Sequence, residues 1–346
     1  MQISSPLRLR LDGTALVSNW KALSRLCGDA RTGAALKADG YGIGAREVAT
    51  RLSAAGCRDF FVAHWAEAKD IIDIVPAGQI AVLNGVSRED AALAIQLGAI
   101  PVLNTPLQVG YWKAAGGGRC HVMLDSGINR LGIGPEQLSA GLLDGLDIDI
   151  LASHLASADE HTPQNDKQLG CFLAMAHGIK AARRSFANSA GIMLGSDYHF
   201  DLTRPGIALY GGIARPEMAS FIRPVVQIEA RVLQVRELNA GDPVGYNATY
   251  HCAGKTRVLT AAIGYADGYL RGFSGKGMAT FKGVDMPLIG RVSMDLITID
   301  AADNETVCEG DWIAIDYDLA HASSISGLSQ YELLTGLGRR FDRLWA

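Results

Sequence analysis

Between residues 30 and 211, eight short apolar or β-rich runs alternate with longer segments whose apolar residues recur at helical spacing. The runs are 34–38, 60–64, 80–84, 100–104, 121–125, 148–154, 186–190 and 207–210. The helical segments are 45–55, 65–74, 89–97, 106–115, 135–143 and 164–184. Strands this short and this apolar must be covered on both faces, and an alternating helix is the element that covers them, so the pattern predicts a parallel (β/α)8 barrel over residues 12–223. The residues with chemistry fall at or just past the C-terminal ends of the runs: Lys37, Arg130, His154 and Ser189. In such a barrel that edge is the active-site face.

After Arg223 and Pro224 the period changes. Strand patterns follow at 225–235, 256–263, 277–281, 286–299 and 312–316, and no helical period returns until 324–337. This predicts a mostly β C-terminal domain over 224–346, joined by an N-terminal strand within 1–11, where Leu7, Leu9 and Leu11 alternate. With 48% hydrophobic and 20% charged residues the chain has the composition of a folded soluble protein. Its net charge of -4 and lack of a basic block argue against nucleic acid and anionic membranes as partners. No stretch approaches a membrane span, and the opening Met1 to Pro6 lacks a basic and apolar leader, so a cytoplasmic location is expected. Six cysteines lie scattered without a C-x-x-C pair, which predicts free buried thiols and no structural metal or disulfide.

The first run ends on Lys37 and breaks at once into the glycine-rich segment 40–44 around Tyr41. A lysine at the end of a buried strand is partly desolvated, which favours the neutral amine that attacks carbonyls; a solvated surface lysine is the other local reading. The glycines at 40, 42 and 44 imitate a dinucleotide fingerprint, but the third comes too early and no acidic residue is clearly placed downstream. Four further segments put polar groups at strand ends: 125–133, 153–160, 187–190 and 204–211. Taken singly each has a structural reading, Asn188-Ser189 as a helix N-cap and Arg204 in a surface ion pair.

In this order, and followed by Ile263-Gly264-Tyr265-Ala266-Asp267-Gly268 and Gly290-Arg291-Val292-Ser293-Met294-Asp295, the set resembles the fold-type III pyridoxal-phosphate enzymes, most closely the alanine racemase family. The resemblance runs from about residue 9 to residue 340. It implies pyridoxal 5'-phosphate on Lys37, and a reaction that inverts the α-carbon of a small amino acid, L-alanine to D-alanine and back. Inversion needs an acid/base on each face, and the resemblance assigns Lys37 to the D enantiomer and Tyr265 to the L enantiomer. It places His154 and Arg204 in a network from that tyrosine to the cofactor ring, with Arg204 at the pyridine nitrogen. Tyr41, Ser189 and the backbone of Gly206 and Ile207 bind phosphate; Arg130 and the Met294 amide bind the substrate carboxylate; Asp159 and Arg291 line an entrance. No metal is implied, and the tyrosine comes from the neighbouring subunit of a homodimer.

The chain departs from the family pattern in three places. Met123 stands where many members have a carbamylated lysine that orients the arginine, so support for Arg130 is expected elsewhere, from an anion or Asn129. Ser185 replaces a histidine beside the arginine network, and Phe341 occupies a position that usually carries a tyrosine hydroxyl near the entrance. The competing readings are a broad-specificity amino-acid racemase, a fold-type III decarboxylase, which would carry a cysteine in place of Tyr265, and a non-catalytic cofactor carrier, which would end with the barrel. The chemistry is the same whether D-alanine is being supplied or consumed.

Overall fold

Gly33 interrupts the first barrel strand without ending it. Arg31–Thr32 pairs with Leu202–Thr203 on one side and Ala34–Ala35 pairs with Phe60–Val62 on the other, so the run 31–35 is one stave bonded to both neighbours. A Cβ at Gly33 would stand 2.8 Å from the Asp59 carbonyl, so only glycine lets the staves approach. In the computed structural model, which describes residues 4–138 and 141–346, this stave closes a parallel sheet that continues through Ile80–Val82, Ile100–Leu103, Arg119–Met123, Asp147–Ala152 and Arg183–Ser185. Nine strand segments, two of them halves of 31–35, thus make eight staves. Phe61, Ala81, Val102, Met123, Ile150, Ala152 and Leu202 fill the interior.

Several helices begin and end where side chains dictate. Thr105 caps Pro106–Ala114 by accepting from the Gln108 amide, Thr162 caps Pro163–Ala176, and Ala45–Ala55 stops at Gly56, whose φ of 111° no other residue adopts easily. The structure corrects the sequence reading at four elements of the barrel. The seventh strand is Arg183–Ser185, ahead of the apolar 186–190, and the eighth is Leu202–Thr203, whereas Ile207–Tyr210 is a buried 3-10 turn. Residues 164–184 do not form one helix: it ends at Ala176 and the chain turns into the seventh strand. Within 135–143 the described residues form turns, with Gly141 at a φ of 82°; Ser139 and Ala140 lie outside the described residues.

The β unit is built on Val226–Leu238. This strand pairs with Leu7–Leu11, Trp312–Ile315 and Thr256–Ala261, and the last pairing closes a six-strand ring through Ile297–Asp300, Val284–Ile289 and Met278–Phe281. The expected strand 286–299 is therefore two strands, separated by the loop that carries Arg291 and Met294, and 324–337 is split at Gly327 into Leu319–Ser326 and Gln330–Thr335. Leu7, Leu9 and Leu11 point into the core, while Arg10 pairs with Glu229 and Arg8 lies over Trp312. A short terminal strand, Asp342–Trp345, joins Leu7–Leu11 in parallel.

The chain divides into two units, one of residues up to Ala15 with Pro224–Ala346 and one of Leu16–Arg223. Asp12 and Gly13 side with the β unit because their amides bond to the Val225 and Ala346 carbonyls, which moves the boundary past residue 12. All six cysteines are free; Cys308 is exposed and Cys171 partly so, contrary to the expectation of burial. Among the described residues no helix is long and apolar enough to cross a membrane, and no three metal-ligating side chains converge.

Candidate active site

At the C-terminal mouth of the barrel the chain leaves the first stave through an unusual turn. Ala38, Asp39, Gly40 and Tyr41 all hold φ between 53° and 61°, a left-handed turn in which only Gly40 is at ease. Each of the other three costs about 1–2 kcal/mol of backbone sterics, so outside bonds must hold them. The Ala38 amide donates to Glu67 Oε1 at 2.7 Å, and Asp39 Oδ1 accepts from the Ala45 amide at 2.8 Å. A Cβ at Gly40 would stand 3.1 Å from the Ala45 backbone. This turn presents Lys37 at the mouth and tucks Tyr41 inside.

Lys37 is exposed in the isolated chain, but the surrounding protein and the Arg130 charge hold its amine below the ordinary lysine range, while Glu67 acts the other way. His154 is pushed down to about 3 by loss of hydration and then by Arg204, Arg130 and Lys37, so it is neutral across the physiological range. Arg204 is buried, and its guanidinium donates to the Ser185 hydroxyl and, at 2.6 Å, to the Ser153 carbonyl. Neutral oxygens hold it, and no carboxylate is salt-bridged to it among the described residues. Ser185 does not leave a gap where the family has histidine: its hydroxyl accepts from Arg204 and donates to the Leu202 carbonyl at 2.5 Å.

A small polar cradle lies beside these cations. Ser189 Oγ accepts the amides of Gly206 at 2.9 Å and Ala208 at 3.3 Å, leaving its own proton to donate; the turn after it is held instead by Asn188, whose Oδ1 accepts the Gly191 amide at 2.9 Å. Tyr41 stacks on Tyr210 with ring centroids 4.6 Å apart, and Tyr210 Oη donates to the Ala35 carbonyl at 2.7 Å. A Cβ at Gly206 would fall 2.1 Å from Tyr41 Oη, so this glycine is what lets the phenol reach the loop. The Gly206 amide, expected to bind phosphate, is taken by Ser189, as is that of Ala208; the Tyr41 and Ser189 hydroxyls, the Ile207 amide, a buried guanidinium and a cationic surround make a donor set that fits a phosphorylated pyridine bearing an aldehyde. Tyr210 and Glu67 went unnoticed in sequence. Tyr210 ends a run with a strand pattern, and Glu67 carries only the signature of a helix cap.

Arg130 is exposed, on a loop whose turn is set by Asp125: Oδ1 accepts the amides of Gly127, Ile128 and Asn129 at 2.9, 3.0 and 3.1 Å. Met123 lies in the barrel interior with Ile150 and Ala152 and offers the arginine nothing polar. Asn129 contributes a left-handed φ of 54°. Support for this arginine is thus backbone order, supplied by Asp125. Asp159 is exposed on a loop held by the buried Arg215, which donates to the Ala158 carbonyl at 2.7 Å.

The other site residues belong to the β unit. Tyr265 opens a 3-10 turn, Tyr265–Asp267, and its amide bonds to the Ser293 carbonyl at 3.0 Å while the Ala266 amide bonds to the Met294 carbonyl at 3.0 Å. A Cβ at Gly264 would strike the Met294 carbonyl at 2.3 Å, which explains the glycine before the tyrosine. Buried Asp267 accepts from the Gly264 amide at 3.0 Å and from Arg340 at 2.6 Å, and Arg340 reaches Asp295 at 2.7 Å. Tyr265, Met294 and Asp295 are thereby fixed as one group, with Arg271 5.4 Å over the tyrosine ring. Met294 and Arg291 are exposed, and Phe341 is buried.

A (β/α)8 barrel with a lysine turned into its C-terminal mouth, followed in the same chain by a closed β unit, defines the fold-type III class. The family models for the alanine racemase N-terminal and C-terminal domains match residues 11–214 and 225–345. An alanine racemase of Rhizobium meliloti is 39% identical over 99% of this chain and 97% of its own length. A biosynthetic alanine racemase of Agrobacterium fabrum is 37% identical over 98% and 93%. The crystal structure of alanine racemase from Bartonella henselae with covalently bound pyridoxal phosphate superposes with a TM-score of 0.92 at 34% identity, over 99% of this chain and 100% of that one. The chain belongs to the alanine racemase family.

Proposed function

We propose that this chain interconverts L-alanine and D-alanine with pyridoxal phosphate held on Lys37, using Lys37 and Tyr265 as acid/bases on opposite faces of the α-carbon. The observation that carries the reading is the convergence of Lys37, neutral His154, Arg130 and buried Arg204 beside the Tyr41, Ser189 and Gly206 cradle. Bound pyridoxal phosphate supplies the electron sink that makes an α-proton removable. Tyr41 and Ser189 donate to its phosphate, together with the loop amide of Ile207. Arg204, fixed by Ser185 and Ser153, keeps its proton and faces the ring nitrogen.

Arg130 holds the substrate carboxylate, aided by the Met294 amide. Lys37 Nζ takes or returns the α-proton of the D enantiomer and Tyr265 Oη that of the L enantiomer. Neutral His154 keeps one ring N–H, and donating it to the phenolic oxygen favours the ionised tyrosine. Tyr265 arrives from the neighbouring subunit of a homodimer, and Asp159 and Arg291 line the approach. The exposure of Lys37 and Arg130 in a single chain supports a site that another subunit completes. In the direction of D-alanine the reaction serves the role named for the Agrobacterium relative.

The test is solvent deuterium exchange with each enantiomer, beside a racemisation assay across alanine, serine, lysine and arginine. In Tyr265→Phe, racemisation falls by about 10² or more while D-alanine still gains deuterium at its α position. Racemisation of both enantiomers at the wild-type rate in that variant overturns the two-base assignment, and faster turnover of another amino acid overturns alanine as the substrate.

A further inference from the structure

We propose that Glu67 is the positioning residue of the reactive lysine: its carboxylate clamps the left-handed turn that follows Lys37 and sets a negative charge against the cations around the amine. The inference rests on the proposed role of Lys37 and extends it to a residue in the first turn of the helix Trp65–Ile71.

The carboxylate makes three bonds with two distinct purposes. Oε2 accepts the amides of Ala63 at 2.6 Å and His64 at 3.2 Å, which ties Glu67 to the end of the second stave and caps the helix Trp65–Ile71. Capping asks for no more than that. Oε1 instead crosses to the first βα loop and accepts the Ala38 amide at 2.7 Å. Ala38 is the first of the four left-handed residues, so this bond fixes the backbone at the point where the lysine's own backbone ends. Without it, a strained alanine next to Lys37 is free to relax toward an ordinary φ and to swing the amine with it.

Charge gives Glu67 a second role. The charged groups that act on Lys37 are Arg130, which lowers its proton affinity, and Glu67, which raises it. His154 also faces Lys37, but it is neutral, and Arg204 stands beyond it. The amine is thus poised between desolvation with Arg130 on one side and Glu67 on the other.

Glutamine at position 67 keeps one acceptor oxygen and turns an NH2 donor toward the other amides, so it loses both the charge and one end of the clamp. Aspartate keeps the charge but is one methylene too short to span both loops. The full-length protein is stripped of cofactor, and the pH dependence of Lys37 acylation is followed by mass spectrometry. The labelling midpoint falls by about half a pH unit in Glu67→Gln and stays near wild type in Glu67→Asp. In the cofactor-loaded enzyme, kcat falls about tenfold in both variants. A wild-type midpoint in Glu67→Gln, or wild-type kcat in both variants, overturns the proposal. Loss of helix capping alone changes thermal stability but leaves the midpoint in place. Borohydride reduction and peptide mapping of the wild type test the cofactor reading separately: absence of the cofactor from Lys37 defeats that reading, while the midpoint of the stripped protein still decides whether Glu67 acts on the amine.

Discussion

His121, like His154 at the barrel mouth, is a buried neutral imidazole through which this fold is exposed to acid. It lies in the barrel strand Arg119–Met123, 3% exposed, and its Nδ1 accepts the Ile150 amide at 3.2 Å, a bond that only an unprotonated nitrogen makes. Asp149 stands 3.8 Å away but is already committed to Arg183 at 2.8 and 3.0 Å and to Arg119 at 2.6 Å, and Arg183 reaches on to Asp59 at 2.8 Å. Burial outweighs the attraction of Asp149 and pushes the imidazole down to about 3. The folded value lies below the ordinary one near 6.5, so the unfolded chain takes up the proton first. The contribution is complete above about pH 6.5 and is lost as pH falls toward 3. In His121→Asn, whose carboxamide oxygen can still accept from Ile150, the fall of unfolding free energy with acid becomes shallower by about 1.4 kcal/mol per pH unit in that window. Urea unfolding at a series of pH values measures it, and equal slopes for both proteins contradict the argument. Nothing in the sequence marks this residue beyond a histidine inside an apolar run.

At the scale of elements, the turn 38–41 shows what local sequence can and cannot specify. The glycines at 40, 42 and 44 announce an irregular loop after Lys37, but left-handed Ala38, Asp39 and Tyr41 have no sequence signal, because tertiary bonds to Glu67 and Ala45 impose those angles. Gly40→Ala puts a Cβ at a φ of 61° and 3.1 Å from the Ala45 backbone. It costs about 1–2 kcal/mol and lowers Tm by about 2–6 °C, whereas Gly110→Ala, inside the helix Pro106–Ala114 with open space around it, raises Tm slightly. Calorimetry of the two variants separates conformational strain from a general effect of added methyls; a Gly40→Ala protein as stable as wild type refutes it. The early staves were legible because Phe60–Val62, Ile80–Val82 and Ile100–Leu103 are wholly apolar and buried. The seventh and eighth were displaced for a physical reason. Arg183 begins its strand inside the ion network at the barrel's N-terminal end, so the apolar run that reads as a strand lies past the strand's end, and Leu202–Thr203 is too short to show a period. Motif order marks the candidate site residues; the geometry that joins Arg204 to Ser185, and Asp125 to the Arg130 loop, has no such mark, since those contacts bridge segments that sequence spacing leaves unrelated.

For the molecule as a whole, the question is where one active site ends and the next begins. Lys37 belongs to the barrel unit and Tyr265 to the β unit, whose turn is locked by the Asp267, Arg340 and Asp295 bonds. On the proposed homodimer each site takes Lys37 from one chain and Tyr265 from the other. Two inactive variants, Lys37→Ala and Tyr265→Phe, then complement each other. In a mixed dimer one site receives both altered residues and the other receives both native ones. Random reassortment makes half of the dimers mixed, with one of two sites working, so unfolding and refolding an equimolar mixture restores about a quarter of wild-type activity. If a single chain supplied both residues to its own site, every site in the mixture would carry one defect and activity would stay at the level of the separate variants. Refolding each variant alone gives the baseline, and the dependence of restored activity on the mixing ratio, greatest at equal amounts, distinguishes subunit exchange from contamination by wild type.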